Sequence, residues 1–333
     1  MNVIEHFISQ AQNNKRRIVL PETNDERIIL ATIEIVKQDI ANLILVGNKN
    51  EIISKIADPA IIDKITIYDA TIDTALATEL AQILYERRKA KGMTAEMAKD
   101  TVLNKKHFFG ALLVEKGLAD GMVCGADCTT GETIRAVIQC VGTKQGSSII
   151  SSFFIMKVQN PDLGKDGVLF FADCAVNPSP DAQQLASIAM DTATNYKKLM
   201  LDEPLVGMLS FSTYGSAEHP LVNKVREALQ LVKQTQPELK IDGELQLDAA
   251  VVPNIANKKA PGSTIAGKAN CLIFPDLQSG NIGYKLVERM GNALAIGPIL
   301  QGCKKPINDL SRGCSVEDVV YVTAITSAQV ETC

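Results

Sequence analysis

This chain of 333 residues has no tryptophan, only three histidines, 5% aromatic residues and no basic excess, its formal net charge being -4 and its pI near 5.6. An acidic balance argues against nucleic-acid binding, which needs a basic stripe, so any anionic ligand has to be met by a local cluster of donors. The histidines, at 6, 107 and 219, are scattered, and Cys124 and Cys128 have neither a second cysteine pair nor a nearby histidine, so no protein-held metal is expected. No apolar run approaches the roughly 20 residues that span a bilayer, and the N-terminal stretch has no long apolar core, which reads as a cytoplasmic protein that does not engage a membrane. A G-x-G-x-x-G fingerprint is also missing. The nearest phosphate-loop candidate, Gly262 to Lys268, is followed by Ala269 where a Ser or Thr would hold magnesium, so a nucleoside triphosphatase is disfavoured and a Gly-rich turn leading into a strand is the simpler reading.

What the chain does have is apolar material: 46% of its residues are hydrophobic, enough for more than one ordinary core, and two domains are expected. The eight cysteines, at 124, 128, 140, 174, 271, 303, 314 and 333, fall in apolar or strand-like settings and read as reduced, mostly buried thiols. Strand-like runs at 17–21, 43–46 and 121–124 alternate with helical patterns at 25–38 and 71–88, and Thr129-x-x-Glu132 is a capping box that opens another helix. That alternation implies an α/β fold with mostly parallel sheets covered by helices. Near residue 144 the pattern changes: 147–157 and 167–174 read as an antiparallel hairpin or arm around a turn-rich link. Pro180 is expected at the first position of a long helix, after which strands at 205–209, 269–274 and 293–299 alternate with helices at 220–233 and 279–289. The expected domains are 1–143 together with 300–333, and 144–299.

The densest polar chemistry lies in Pro306 to Val320, PINDLSRGCSVEDVV, read as a polar loop running into the last helix. It offers the amide of Asn308, the carboxylates of Asp309 and Asp318, and a hydroxyl beside a guanidinium at Ser311 and Arg312, with Gly313 next to them. A Ser and an Arg at the mouth of a helix suit a phosphate or a tetrahedral oxyanion. The same residues admit a plainer account, in which Ser315-x-x-Asp318 is a capping box and Arg312 pairs with Asp309 on the surface.

This loop resembles the N-D-L-S-R-G signature near the C-terminus of phosphate acetyltransferases. SFSTYGSA (Ser210 to Ala217), DGELQLDAA (Asp242 to Ala250) and FPDLQSGNIGYKL (Phe274 to Leu286) are similar to further stretches of that family, in the same order. The resemblance implies two α/β domains with a cleft between them, a fold like that of isocitrate and isopropylmalate dehydrogenases, and a C-terminal segment that returns to the first domain. It also implies transfer of acetyl between acetyl phosphate and coenzyme A, a homodimer, and no tightly bound cofactor, coenzyme A being a substrate. The alternatives are a phosphate butyryltransferase and a noncatalytic acyl-CoA-binding module, and SFSTYGSA favours the acetyl enzyme.

On the same resemblance, Asp318 takes the thiol proton, Ser311 donates to a carbonyl or phosphoryl oxygen, and Arg312 and Arg135 clamp the acyl phosphate. Thr130 and Thr133 are the accompanying hydroxyl donors, and Asn308 and Lys268 are further substrate-binding candidates. Arg88 stands where the family pattern Tyr-Glu-Leu-Arg-Lys has its arginine. Arg87 replaces the leucine of that pattern, leaving open which of the two meets coenzyme A.

Overall fold

The structure, a computed structural model, describes residues 2–331. In chain order the elements are α1 (Val3–Asn13), β1 (Arg17–Leu20), α2 (Glu26–Lys37), β2 (Asn42–Val46), α3 (Lys49–Ile56), α4 (Pro59–Ile62), β3 (Thr66–Tyr68), α5 (Thr74–Arg88), α6 (Ala95–Asn104), α7 (Lys106–Lys116), β4 (Gly121–Cys124) and α8 (Thr130–Ala136). They continue with β5 (Ser151–Lys157), β6 (Val168–Ala172), α9 (Ala182–Met200), β7 (Val206–Leu209), α10 (Pro220–Thr235), β8 (Ile241–Leu245), α11 (Leu247–Val251), α12 (Pro253–Lys259), β9 (Cys271–Ile273), α13 (Leu277–Met290) and β10 (Leu294–Gln301). The last two are β11 (Ile307–Asp309) and α14 (Val316–Gln329). Two compact units result, one made of 2–144 with 303–331 and the other of 145–302.

The first unit is built on a five-stranded sheet in the order β11-β4-β1-β2-β3, every pair parallel. Ile18, Val19 and Leu20 of β1 are wholly buried, as expected for a strand covered on both faces. On one side α14 packs against α1, α2 and the sheet. Its sequence is apolar nearly all round, with Val319, Val322, Ala324 and Ile325 buried, and the buried hydroxyls of Thr323 and Thr326 donate to the carbonyls one turn back, of Val319 and Val322. That helix is therefore a core element, and β11 is the sheet edge beside which it starts.

The second unit has a mixed six-stranded sheet, β10-β5-β6-β9-β7-β8, in which β10/β5 and β5/β6 are antiparallel and the rest parallel. The antiparallel β5/β6 pairing matches the sequence reading, but the pair is no arm. Phe153, Phe154, Ile155, Phe170 and Phe171 are all buried, because a strand apolar on both faces belongs inside a sheet. Pro180 also differs from expectation. Asp181 is the N-cap of α9 and closes a capping box with Gln184, so Pro180 precedes the cap and does not occupy the first helical position. The last strand of this unit runs to Gln301, beyond the expected limit at 299.

Two of the family-like stretches meet in this second unit. Buried Glu244, from DGELQLDAA, accepts the Ser212 hydroxyl at 2.8 Å and the Gly215 N–H at 2.9 Å, both from SFSTYGSA, while Arg226 Nε donates to its other oxygen at 2.9 Å. Burial opposes the charge, but the donors from Arg226, Gly215 and Ser212 outweigh it and hold the carboxyl at about 2. The chemistry of both motifs is thus partly spent on fixing one exposed loop, which carries Phe211 and Tyr214.

Candidate functional site

In an open parallel sheet, ligands bind beyond the carboxyl ends of the strands where the strand order reverses. In the first unit the order reverses between β1 and β4, since β2 and β3 are added on one side and β4 and β11 on the other. Three segments emerge there: Pro21 to Asp25 after β1, Gly125 to Thr129 after β4, and Leu310 to Ser315 after β11.

The first two are locked together by Glu22. This buried carboxylate accepts four successive backbone N–H groups, those of Gly125 and Ala126 at 2.8 Å, Asp127 at 3.1 Å and Cys128 at 2.8 Å. Such a run of amides is a ready anion seat. Here the protein fills it with its own glutamate, so the approach to α8 is a braced loop, closed off from external phosphate. Gly125 sits at φ +111°, and a Cβ there would lie 2.4 Å from Asp309 Oδ1 and 2.6 Å from the Leu310 N–H nitrogen, which leaves glycine as the residue that fits.

The third segment is held by Arg27. Its guanidinium donates to the carbonyls of Arg312 and Cys314, both at 2.8 Å, and to that of Ala126 at 3.0 Å, while Asp25, the N-cap of α2, grips it from the side at 2.6 Å and 3.0 Å. Hydrogen bonding to Asp25 raises its pKa further, so it is a permanent cation. Neither Glu22 nor Arg27 is distinguished in the sequence. Each lies about 100 residues or more from the groups it holds, and no local spacing signals either one.

With its carbonyls pinned, the Ser311 loop turns its side chains outward. Ser311 and Arg312 are exposed. Ser311 Oγ accepts the Gly313 N–H at 3.2 Å, which leaves its own O–H to donate elsewhere. No hydrogen bond or ion pair engages the Arg312 guanidinium among the described residues, so the surface pair with Asp309 is not formed. Asp318, half-buried, is the third residue of α14. Its Oδ2 accepts the Ser315 N–H at 2.8 Å and its own N–H donates to Ser315 Oγ at 3.1 Å, so the capping box is present.

Asn308 and Asp309 depart from the sequence reading. They belong to β11 and are wholly buried, so Pro306 to Val320 begins as a strand and not as a polar loop. Asn308 gives its amide hydrogens to Thr326 Oγ1 at 2.8 Å and Gln329 Oε1 at 2.7 Å, both in α14, and so ties the strand to that helix. Asp309 accepts the hydroxyls of Thr130 at 2.6 Å and Thr133 at 2.8 Å. Those two threonines therefore spend their protons inside the protein and are not the expected donors to an anion. Burial pushes the Asp309 carboxyl up to about 6, the threonine donors pull it down, and the neighbouring Glu22 charge raises it.

Of the remaining candidates, Arg135 is exposed on α8, two residues past Thr133 and so on a different side of the helix from the face that meets Asp309. Arg87 is committed to structure, with Nη1 on Glu115 at 2.8 Å and Nη2 on the Val141 carbonyl at 3.0 Å. Arg88 has no such partner among the described residues. Lys268 belongs to the second unit, where it lines an open depression with Lys165, Lys240 and Glu203. Cys124, Cys140, Cys174, Cys271 and Cys314 are buried thiols, Cys128 and Cys303 are half-buried, and Cys333 lies outside the described residues. Among the described residues no three His, Cys, Asp or Glu side chains gather as a metal set, and no helix is long and apolar enough to cross a membrane.

A family model described as phosphate acetyl/butaryl transferase matches residues 2–327. The chain is 50% identical over 331 residues to a phosphate acetyltransferase of Thermoanaerobacterium thermosaccharolyticum, covering 99% of this chain and 100% of that one. It is 48% identical over 333 residues to a phosphate acetyltransferase of Clostridium acetobutylicum, with 99% of each covered. Among solved structures, a phosphotransacetylase from Streptococcus pyogenes superposes with a TM-score of 0.90 at 41% identity over 98% of each chain. A branched-chain phosphotransacylase from Enterococcus faecalis shares the fold, with a TM-score of 0.66 at 18% identity, over 95% of this chain and 100% of that one.

Proposed function

This chain belongs to the phosphate acetyl/butaryl transferase family, and on that premise we propose that it moves an acetyl group reversibly between acetyl phosphate and the thiol of coenzyme A. The observation that carries the reading is the Ser311–Arg312 pair, in a loop whose Arg312 and Cys314 carbonyls are held by Arg27 while the hydroxyl and the guanidinium are exposed. Both substrates are phosphate anions and the transition state develops an oxyanion, so planar cationic and hydroxyl donors are the groups the chemistry needs.

In this mechanism Arg312 and Arg135 hold the acyl phosphate and Arg88 meets coenzyme A. The thiol sulfur attacks the acetyl carbon, the C–S bond forms, the C–O bond to phosphate breaks, and inorganic phosphate leaves with the electron pair. Ser311 donates to the carbonyl or phosphoryl oxygen as charge builds. Asp318 takes the thiol proton through the oxygen that the cap leaves unused. Carboxylates are ordinarily several pKa units too acidic to deprotonate a thiol, so the cationic donors around the bound thiol have to narrow that gap. The same reading takes the protein to be a cytoplasmic homodimer with no resident cofactor, and takes Lys268 as a secondary substrate contact.

The test is spectrophotometric appearance of the acetyl-CoA thioester from acetyl phosphate and coenzyme A, with butyryl phosphate run in parallel. Turnover that favours acetyl phosphate is expected. Absence of turnover with either acyl phosphate would defeat the enzyme reading, and preference for butyryl phosphate would move the assignment to the longer chain.

A further inference from the structure

Asp309 is an expensive residue for its position. It is wholly buried, no cation among the described residues pairs with it, its two bonding partners are neutral hydroxyls, and a second buried carboxylate, Glu22, lies close enough to raise its pKa. A neutral side chain of the same size would sit there at lower cost, so the carboxylate has to be explained by what it alone does.

An ionised carboxylate only accepts. It therefore draws both threonine hydroxyls to itself, one onto each oxygen, and fixes the end of β11 to the first turn of α8 by two convergent charge-assisted bonds. The backbone continues the brace, since the Leu310 N–H donates to the Cys124 carbonyl at 2.7 Å, and Gly125 leaves the space that Asp309 Oδ1 occupies. Ser311 follows two residues after Asp309. The loop is thus held at both ends, by Asp309 where it leaves the strand and by Arg27 at the carbonyls of Arg312 and Cys314.

We propose that Asp309 is a positioning residue for acyl transfer, setting the placement of Ser311 and Arg312 through its paired bonds to Thr130 and Thr133. This rests on the acyl-transfer reading of the Ser311–Arg312 pair. Asparagine accepts through one oxygen and donates through its nitrogen, so it satisfies only one of the two hydroxyls in their present direction and holds the loop by weaker, neutral bonds.

The experiment compares full-length Asp309→Asn, Thr133→Val, Thr133→Ser and the double variant Asp309→Asn with Arg312→Lys, by steady-state kinetics with acetyl phosphate and coenzyme A and by thermal melting. Asp309→Asn and Thr133→Val are expected to lower kcat by about tenfold, the scale of a sub-ångström to ångström misplacement, with KM for coenzyme A within about twofold of wild type. Thr133→Ser, which keeps the hydroxyl, is expected to retain wild-type kcat. Because Asp309 acts through Arg312, its substitution should cost less in the Arg312→Lys background than alone. Folded Asp309→Asn with kcat within about twofold of wild type would overturn the proposal, and so would full additivity with Arg312→Lys. If Asp309→Asn does not fold, the Thr133 pair decides, and equal loss in Thr133→Val and Thr133→Ser overturns it. Wild-type protein without turnover is a different failure, one that removes the acyl-transfer reading itself.

Discussion

Asp318 and Ser315 bond reciprocally, each side chain accepting the other residue's backbone N–H, at 2.8 Å and 3.1 Å. The carboxylate proposed as the base is therefore also the closing half of a helix cap, and the two roles are separable by substitution. Asp318→Asn keeps an acceptor oxygen for the cap, so the loss of stability should be about 1 kcal/mol or less. Turnover should fall by a factor of about 100 or more if the carboxylate removes the thiol proton. Melting temperature and turnover against pH, measured beside the exposed neighbour Glu317→Gln, check this. A folded Asp318→Asn enzyme with near-normal turnover would confine the residue to capping.

Arg312→Lys keeps the charge and discards the planar fork that meets two phosphate oxygens at once. Turnover should drop by roughly tenfold or more, and the loss should not be recovered by raising acetyl phosphate. Wild-type kinetics in this variant would take Arg312 out of the site.

Arg27 grips the loop mainly through its backbone, at the Arg312 and Cys314 carbonyls, with the Cys314 sulfur at 3.4 Å, and counting Ala126 it holds three carbonyls with one guanidinium. Lysine, with a single nitrogen, reaches fewer of them. Arg27→Lys is expected to lower kcat by about tenfold while the fold survives, and to raise hydrogen exchange at the amides of 311–315 relative to the rest of the chain. Unchanged exchange there would show that the loop is fixed by other contacts.

Two buried carboxyls should give opposite pH slopes. The Asp309 pKa is raised from 3.8 to about 6, so its contribution to stability is full below about pH 4 and is lost as pH rises through 6. Asp309→Asn, which does not titrate, should gain on wild type across that window by up to roughly 3 kcal/mol. The Glu244 pKa is lowered from 4.5 to about 2, so its contribution is present above its ordinary value and is lost as pH falls toward 2. Glu244→Gln should lose stability at neutral pH and converge on wild type in acid. Denaturant unfolding at closely spaced pH values reads both slopes, and a slope of the same sign for the two variants would contradict the assignments.

No cysteine is expected to carry the acetyl group, since coenzyme A supplies the thiol and Cys124, Cys140, Cys174 and Cys271 are buried with pKa values pushed upward, in Cys124 by a hydrogen bond with Cys128 as well as by burial. Kinetics should be sequential. Exchange of labelled phosphate into acetyl phosphate without coenzyme A would reveal an acetyl-enzyme and reverse this expectation.

What could be read in advance was what is local. The caps Thr129–Glu132 and Ser315–Asp318 are four-residue patterns whose physics is complete within about one turn, and the structure has both. β1 and β2 announce themselves by apolar runs of strand length. Asn308 and Asp309 misled because their polarity reads as exposure until their partners, 18 to 179 residues away, are known. Glu22 looked like any glutamate after a strand, and four backbone N–H groups from beyond residue 124 give it its meaning. Thr130 and Thr133 read from sequence as outward donors, whereas both hydroxyls turn to Asp309, since a hydroxyl's proton follows the strongest acceptor nearby.

The return of the chain to its first unit also sets a schedule. On a ribosome β4 is made early and waits as the open rim of its sheet until β11 is released, because all of 145–302 is translated in between. At about 5–20 residues per second that delay is roughly 10–30 s. During it the faces of α1 and α2 that α14 later covers are bare, and an unpaired strand rim is a template for association with other nascent chains. The loop of Ser311 and Arg312 thus leaves the ribosome only after the whole of the second unit, and a chain that stops within that unit lacks both the strand that closes the sheet and the loop that follows it.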